Sequence, residues 1–394
     1  MTSTITTVNP ATGASLASYP AWTGDQIERA VARGAGAAAD WGRQPLEARV
    51  AAVQRLAEEL RRQKNTFASL ITAEMGKPLA EAAGELEKSA VTAEYYANQA
   101  ETILGDEQVQ IDGVDCWISY EPIGLVLAVM PWNFPVFQVM RFAIPSITAG
   151  NGVLLKHSPN VTGSALALQQ LFVDADLPEH LVTTLVVAEP HVPNVTEMLI
   201  NDDRIAAVTL TGSNRAGAAV GAAAGRASKK SVLELGGSDA FVVLDDADVP
   251  TAAEAAVKAR YHNAGQSCVC AKRFIIADSV AAEFTELFVK GPRRWSSVTR
   301  PTPPRRWGRW PGPTCATLCS ARWRTRSPAE LCSSPVADRS TATGTTTNRP
   351  YSPTPDLACR SSTRRPSVPS PRSPSPPTTT TRSGWPTLAR SVCR

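Results

Sequence analysis

Cys268 lies in a small polar stretch, Asn263-Ala264-Gly265-Gln266-Ser267-Cys268-Val269-Cys270, that leads into Ala271-Lys272-Arg273. Nearby cations favour the thiolate, the reactive form of cysteine, so the setting suits a nucleophile. Taken alone, a free cysteine is more often an inert core residue. Cys270 has two readings of its own, a resolving thiol that could form a strained, easily reduced disulfide with Cys268, or a small buried residue. Glu234 interrupts the apolar run Val232-Leu233-Glu234-Leu235 just before Gly236-Gly237. A carboxylate on a buried strand is costly unless paired or used. Glu234 is therefore read as a general base with a raised pKa, or as the partner of an arginine. In Pro131-Trp132-Asn133-Phe134-Pro135 two prolines stiffen the chain. Asn133 can then present its side-chain NH₂ as an oxyanion donor, unless the string is only a rigid turn. Thr211-Gly212-Ser213-Asn214-Arg215-Ala216-Gly217 precedes an Ala-rich segment and reads as a helix N-terminus able to hold a pyrophosphate. It lacks the first glycine of the usual dinucleotide fingerprint.

The elements that would position these residues are legible from periodicity. From Thr23 to Ile103 the pattern is helical, with Val50, Val53, Leu56 and Leu60 on one face and a single break at Gly76 and Pro78. Val109 to Tyr120 alternates around Asp112-Gly113 and predicts a hairpin, either an arm or an ordinary surface feature. Ile123–Met130, Val153–Leu155, Leu181–Val187, Ile205–Leu210, Val232–Leu235 and Phe241–Leu244 read as strands, with helices at Ser164–Asp174 and Val195–Ile200. Continuous apolar strands alternating with helices predict an α/β fold with a doubly wound parallel sheet.

Composition divides the chain near Gly291. From Pro292 to Arg394 there are 18 Arg and no Lys against Glu330, Asp338 and Asp356, a net charge of +15 that leaves −11 for the first 291 residues. The same stretch carries 18 of the 31 Pro and 5 of the 8 Cys, and has no Ile and no Phe. It reads as a disordered basic tail of low complexity. The amino terminus has no apolar segment behind a basic start, and the longest apolar run stops at Pro131, so neither a secretory signal nor a membrane span is expected. Three cysteines in the body, two with one residue between them, argue for reduced thiols and a cytoplasmic protein.

In this order, Asn9-Pro10-Ala11-Thr12-Gly13, Glu74-Met75-Gly76-Lys77-Pro78, Pro131–Pro135, Gly212-Ser213, Glu234-Leu235-Gly236-Gly237 and Gly265-Gln266-Ser267-Cys268 resemble the aldehyde dehydrogenase superfamily over residues 5–291. Arg141, Lys156-His157-Ser158-Pro159-Asn160 and Leu233–Asp239 most resemble bacterial succinate-semialdehyde dehydrogenases. The resemblance implies that Cys268 attacks the aldehyde, that Asn133 and the Cys268 N–H hold the oxyanion, and that Glu234 activates the water that hydrolyses the thioester. It implies cofactor contacts from Trp132, Lys156, Ser158, Gly212, Ser213 and Leu235, a substrate-carboxylate clamp at Arg141, no metal and no membrane partner, and a homo-oligomer. Where NAD-preferring relatives carry a Glu three residues after the Lys, this chain has Pro159, which leans it towards NADP with NAD still possible. A second Arg expected in some relatives six residues before the nucleophile is His262 here. The implied division is 1–108 and 121–233 for the N-terminal helices and dinucleotide-binding domain, 109–120 for an oligomerisation hairpin, 234–291 for the first part of an incomplete catalytic domain, and 292–394 for an aberrant tail.

The family's Glu-x-Phe-Gly-Pro string does not occur after Gly291. The preferred reading is a shift of reading frame near codon 291 that leaves the product impaired. The alternative is a cofactor-domain fragment with a basic nucleic-acid-binding arm, which is disfavoured because the body stops in mid-domain.

Overall fold

The computed structural model describes residues 3–293. The expectations for the basic tail beyond Arg293, including a nucleic-acid-binding arm, lie outside the described residues. An amino-terminal hairpin, β1 (Thr4–Val8) and β2 (Ser15–Pro20), is followed by four helices, α1 (Gly24–Gly42), α2 (Leu46–Arg62), α3 (Lys64–Met75) and α4 (Leu79–Leu104). The sequence predicted one break in this helical region, and the structure has three. Pro45 N-caps α2 with extended backbone, Gln63 leaves helical geometry at φ −92° and ψ 4°, and left-handed Gly76 caps α3 ahead of Pro78. Helix α4 carries one apolar side along its length: Ala82, Leu86, Ala90, Ala93 and Ala97 are all buried.

The predicted hairpin is present as β3 (Glu107–Ile111) and β4 (Val114–Ile118), antiparallel, with Ile111, Val114, Trp117 and Ile118 exposed. Then come β5 (Leu125–Met130), α5 (Phe137–Thr148), β6 (Gly152–His157), α6 (Thr162–Asp174), β7 (Val182–Leu185), α7 (Val192–Asn201), β8 (Ile205–Thr211), α8 (Asn214–Arg226) and β9 (Lys230–Glu234). These five strands form one parallel sheet in the order β7-β6-β5-β8-β9. Period-two alternation in β6 sends Val153 and Leu155 into a core with α2 to α6, and Leu154 into a second core with α1, α7 and α8. Both faces are therefore covered, as the continuous apolar runs predict.

β10 (Ala240–Val243) does not extend this sheet. It pairs in parallel with β11 (Arg273–Ile276), which follows α9 (Val249–Tyr261) and precedes α10 (Asp278–Arg293). A separate core of Val243, Val249, Ala253, Ala256 and Phe284 holds this unit. Among the described residues no helix is long and apolar enough to cross a membrane.

Candidate active site

Strand order reverses between β5 and β8, because β6 and β7 are laid down on one side of β5 and β8 and β9 on the other. In open α/β sheets the crevice outside the carboxyl ends of the strands at such a point binds ligands. Trp132 and Asn133 follow β5, Lys156 and Ser158 lie at the end of β6, Gly212 and Ser213 follow β8, and Glu234 and Leu235 lie at the end of β9. A cleft of about 350 Å³ brings Trp132, Asn133, Gly212, Ser213, Glu234 and Leu235 together with Cys268.

The β8–α8 turn is built to receive an anion. Ser213 N-caps α8, its Oγ accepting from the Ala216 N–H at 3.2 Å, and the Gly212 N–H donates to the Glu234 carbonyl at 3.0 Å. The first turn of the helix rests on Leu235, so closely that a Cβ on Gly217 would come within 2.4 Å of Leu235 Cδ2. Lys156 is buried, and burial brings its pKa down to about 8 against the opposing charge of Glu189. Ser158 Oγ donates to Asn160 Oδ1 at 2.6 Å. The exposed helix terminus, the lysine and the serine fit the phosphates of a dinucleotide.

Three consecutive left-handed residues, Asn263, Ala264 and Gly265 (φ 56°, 55° and 75°), turn the chain into the Cys268 loop. For an alanine this conformation is strained, and only Gly265 adopts it freely. Asn263 holds it in place: its buried Nδ2 donates to the carbonyls of Asn133 at 2.8 Å and Gln266 at 3.1 Å. Asn133 Nδ2 donates to the same Gln266 carbonyl at 2.8 Å. The candidate oxyanion donor and the nucleophile loop are thus tied directly together. Cys268 is half-buried. Lys272 and Arg273, expected to serve the thiol, place their cationic ends on backbone carbonyls, Lys272 on Gly237 and Cys268, Arg273 on Ser238. Cys270 is buried, its Sγ 3.3 Å from Arg260 Nη1 and 3.5 Å from the Gly265 carbonyl.

The expectation of a buried Glu234 is corrected. Its strand, β9, is the sheet edge, and the Glu234 side chain is 54% exposed. The reading of Glu234 as the partner of an arginine is met: its Oε2 lies 3.2 Å from Nη2 of Arg141 on α5. Hydropathy could not reveal this, because an edge strand of a mostly buried sheet reads like an inner one.

The Asn133 turn is seated from behind by a buried charge pair. Lys77 and Glu85 form an ion pair with side chains 0% and 1% exposed. Glu85 Oε1 accepts the Val136 and Phe137 N–H groups at 2.7 and 2.8 Å, at the start of α5. The Lys77 ammonium stands 4.1 Å above the Phe134 ring, whose other neighbour, His262, stacks at 5.7 Å. Burial pushes the Lys77 pKa down while Glu85 opposes that shift. His157 fixes the far side. Its Nδ1 accepts from the Ser158 N–H at 2.8 Å, so Nε2 carries the proton and donates to the Pro135 carbonyl at 2.8 Å. Burial holds its pKa at about 4 and keeps it neutral.

Two cleft residues are given no role of their own by the sequence. Gln138 on α5 and Gln266 in the nucleophile loop are buried, and Gln138 Oε1 and both amide atoms of Gln266 are without a hydrogen-bond partner. An orphaned amide lining a cleft marks a place where a ligand or water completes the bonding. The available signal was a glutamine inside an otherwise apolar helix start, Phe137-Gln138-Val139-Met140.

Residues 1–305 match the aldehyde dehydrogenase family. The chain is 47% identical over 283 residues to a succinate semialdehyde dehydrogenase [NAD(P)+] of Escherichia coli, covering 72% of this chain and 60% of that one. It is 43% identical to a probable NADP+ succinate-semialdehyde dehydrogenase of Synechocystis, covering 73% and 62%. The crystal structure of the Streptococcus pyogenes succinic semialdehyde dehydrogenase in complex with NADP+ superposes with a TM-score of 0.77 at 32% identity, covering 81% of this chain and 70% of that one. The chain therefore spans about 60% of the length of these curated relatives. With the strings around Asn133, Gly212, Glu234 and Cys268 meeting at one switch-point cleft and the family matched over residues 1–305, the chain belongs to the aldehyde dehydrogenase family.

Proposed function

We propose that this chain carries the cofactor site and the nucleophile of an NADP-preferring succinate-semialdehyde dehydrogenase. The observation that carries the reading is the single cleft lined by Cys268, Asn133, Glu234 and the Ser213-capped start of α8. The Cys268 sulfur forms a bond to the aldehyde carbon, and the carbonyl electron pair moves to oxygen. Asn133 has two amide hydrogens, one committed to the Gln266 carbonyl, which leaves the other for that oxyanion beside the Cys268 N–H. NADP+, when bound, supplies the acceptor for the hydride that leaves as the thioester forms. Glu234 takes a proton from a water that adds to the thioester. The C–S bond then breaks, releasing the acid and restoring the thiolate.

Lys156, Ser158 and the α8 N-terminus are the residues that would hold the phosphates, and Pro159 in place of an acid removes repulsion of a 2′-phosphate. Arg141 is proposed to hold the substrate carboxylate through its planar fork. The separate core beneath β10 and β11 supports a catalytic unit beginning near residue 234, and the exposed apolar side chains of β3 and β4 support an assembly arm over 109–120.

The test is the first turnover of the full chain with NADP+ and succinate semialdehyde. NADPH should form in an amount well below one per chain, as an impaired product requires, and vanish in Cys268→Ala. Equal formation in both proteins, or none in the parent, overturns the reading.

A further inference from the structure

Arg141 and Glu234 have separate tasks in the proposed chemistry, yet they are paired with each other. Arg141 comes from α5, on the helix that follows the Asn133 turn, and Glu234 from the last residue of β9. The Glu234 backbone is fixed, since its carbonyl accepts the Gly212 N–H at 3.0 Å and its strand is in register with Thr211. Only its side chain is free to change partners. The contact is a single one, Nη2 to Oε2 at 3.2 Å, between side chains 40% and 54% exposed. A half-exposed, single-contact ion pair is weak, and it leaves most of the guanidinium fork unused. A second carboxylate can therefore displace Glu234 by offering bidentate geometry. While it is paired, one of the two Glu234 oxygens is turned towards the guanidinium and the side chain is not free to swing to a water beside Cys268.

We infer that the Arg141–Glu234 pair is a substrate-operated latch. An aldehyde that carries a carboxylate takes Arg141, and by doing so frees Glu234 to activate water at Cys268. A neutral aldehyde leaves Glu234 engaged. Selectivity for semialdehydes is then expressed in the hydrolytic step as well as in binding. The inference rests on the proposed roles of Cys268, Glu234 and Arg141 and adds a coupling between the last two.

The experiment separates the coupling from those roles. The full chain is mixed with p-nitrophenyl acetate, whose acyl group transfers to a cysteine thiolate with expulsion of nitrophenolate and needs no cofactor. A burst of nitrophenolate reports acylation, and the steady phase reports hydrolysis of the acetyl thioester. The acetyl group carries no carboxylate, so propionate is added as the separate occupant of Arg141. Saturating propionate should raise the steady rate roughly two- to sixfold, as expected when a carboxylate held in a weak exposed pair becomes free. Arg141→Ala should begin at the raised rate and not respond, and Glu234→Gln should stay slow with and without propionate. A burst followed by a steady rate indifferent to propionate, or the same response in Arg141→Ala, overturns the latch and leaves the proposed chemistry standing. Absence of the burst overturns Cys268 as nucleophile and the latch with it.

Discussion

Replacing Glu85 with alanine should loosen the Asn133 turn from beneath. In the folded chain Glu85 accepts two backbone N–H groups at 2.7 and 2.8 Å and neutralises a lysine whose side chain is fully buried. Its removal leaves Lys77 buried without its ion-pair partner, opposed only by the more weakly coupled Glu81, and two donors at the start of α5 without a carboxylate. Breaking one side of a buried ion pair costs about 3–5 kcal/mol, and that range applies here because both side chains are enclosed. Glu85→Gln keeps an acceptor for the α5 amides but removes the charge, so it should fall between alanine and wild type. The double variant Lys77→Met/Glu85→Gln removes the stranded ammonium and should recover most of the loss. Urea denaturation of the full chain, followed by circular dichroism, measures all three. A Glu85→Ala penalty below about 1 kcal/mol, the size of an exposed ion pair, would refute the reasoning. So would a double variant as unstable as Glu85→Ala.

Three further outcomes are expected. The buried Lys156, with its pKa near 8, is an ammonium below that pH and neutral above it. NADP+ affinity should therefore fall as pH rises through it, by up to about tenfold per unit on the alkaline side, and should be weak and flat in Lys156→Met; a flat profile in wild type would contradict this. His157 is lowered from 6.5 to about 4, so the unfolded chain binds its proton first as pH drops. Its contribution is complete above 6.5 and is lost as pH falls from there towards about 4; denaturation midpoints should show this acid sensitivity in wild type and less of it in His157→Gln, and parallel curves would dismiss it. Cys270 is packed between Arg260 and the Gly265 carbonyl, which favours the small buried residue over the resolving thiol. Recovery from peroxide by dithiothreitol should then be equal in wild type and Cys270→Ala, and irreversible inactivation confined to the variant would restore the resolving role.

The parallel sheet was legible because β5 and β6 are apolar on both faces, which only a sheet covered twice requires. The amino-terminal hairpin was not. Its strands are mostly exposed, and Ile5, Thr7 and the half-buried Tyr19 are what turn inward. The helical region was legible as helix but not in its breaks, since Gln63 departs from helical geometry without proline or glycine to announce it. At the site, Asn133, Gly212, Ser213, Leu235 and Cys268 were found through local strings, and the structure brings them to one cleft. What supports them was hidden by distance along the chain. Asn263 reaches Asn133 across 130 residues, Glu85 caps α5 from 51 residues away, and no local spacing encodes either contact. Glu234 was misread as buried for a related reason, because sequence does not say which strand of a sheet is its edge.

The central claim, that Cys268 becomes an acyl carrier while a bound nicotinamide accepts the hydride, is tested most directly by trapping the acyl group. The Glu234→Gln chain is mixed with NADP+ and succinate semialdehyde, quenched in acid and digested, and the peptide containing Cys268 and Cys270 is sequenced by mass spectrometry. The account predicts a succinyl thioester on Cys268 that requires NADP+ and is absent in a Cys268→Ala background. A peptide without the adduct, an adduct on Cys270, or one that forms equally without NADP+ would contradict it.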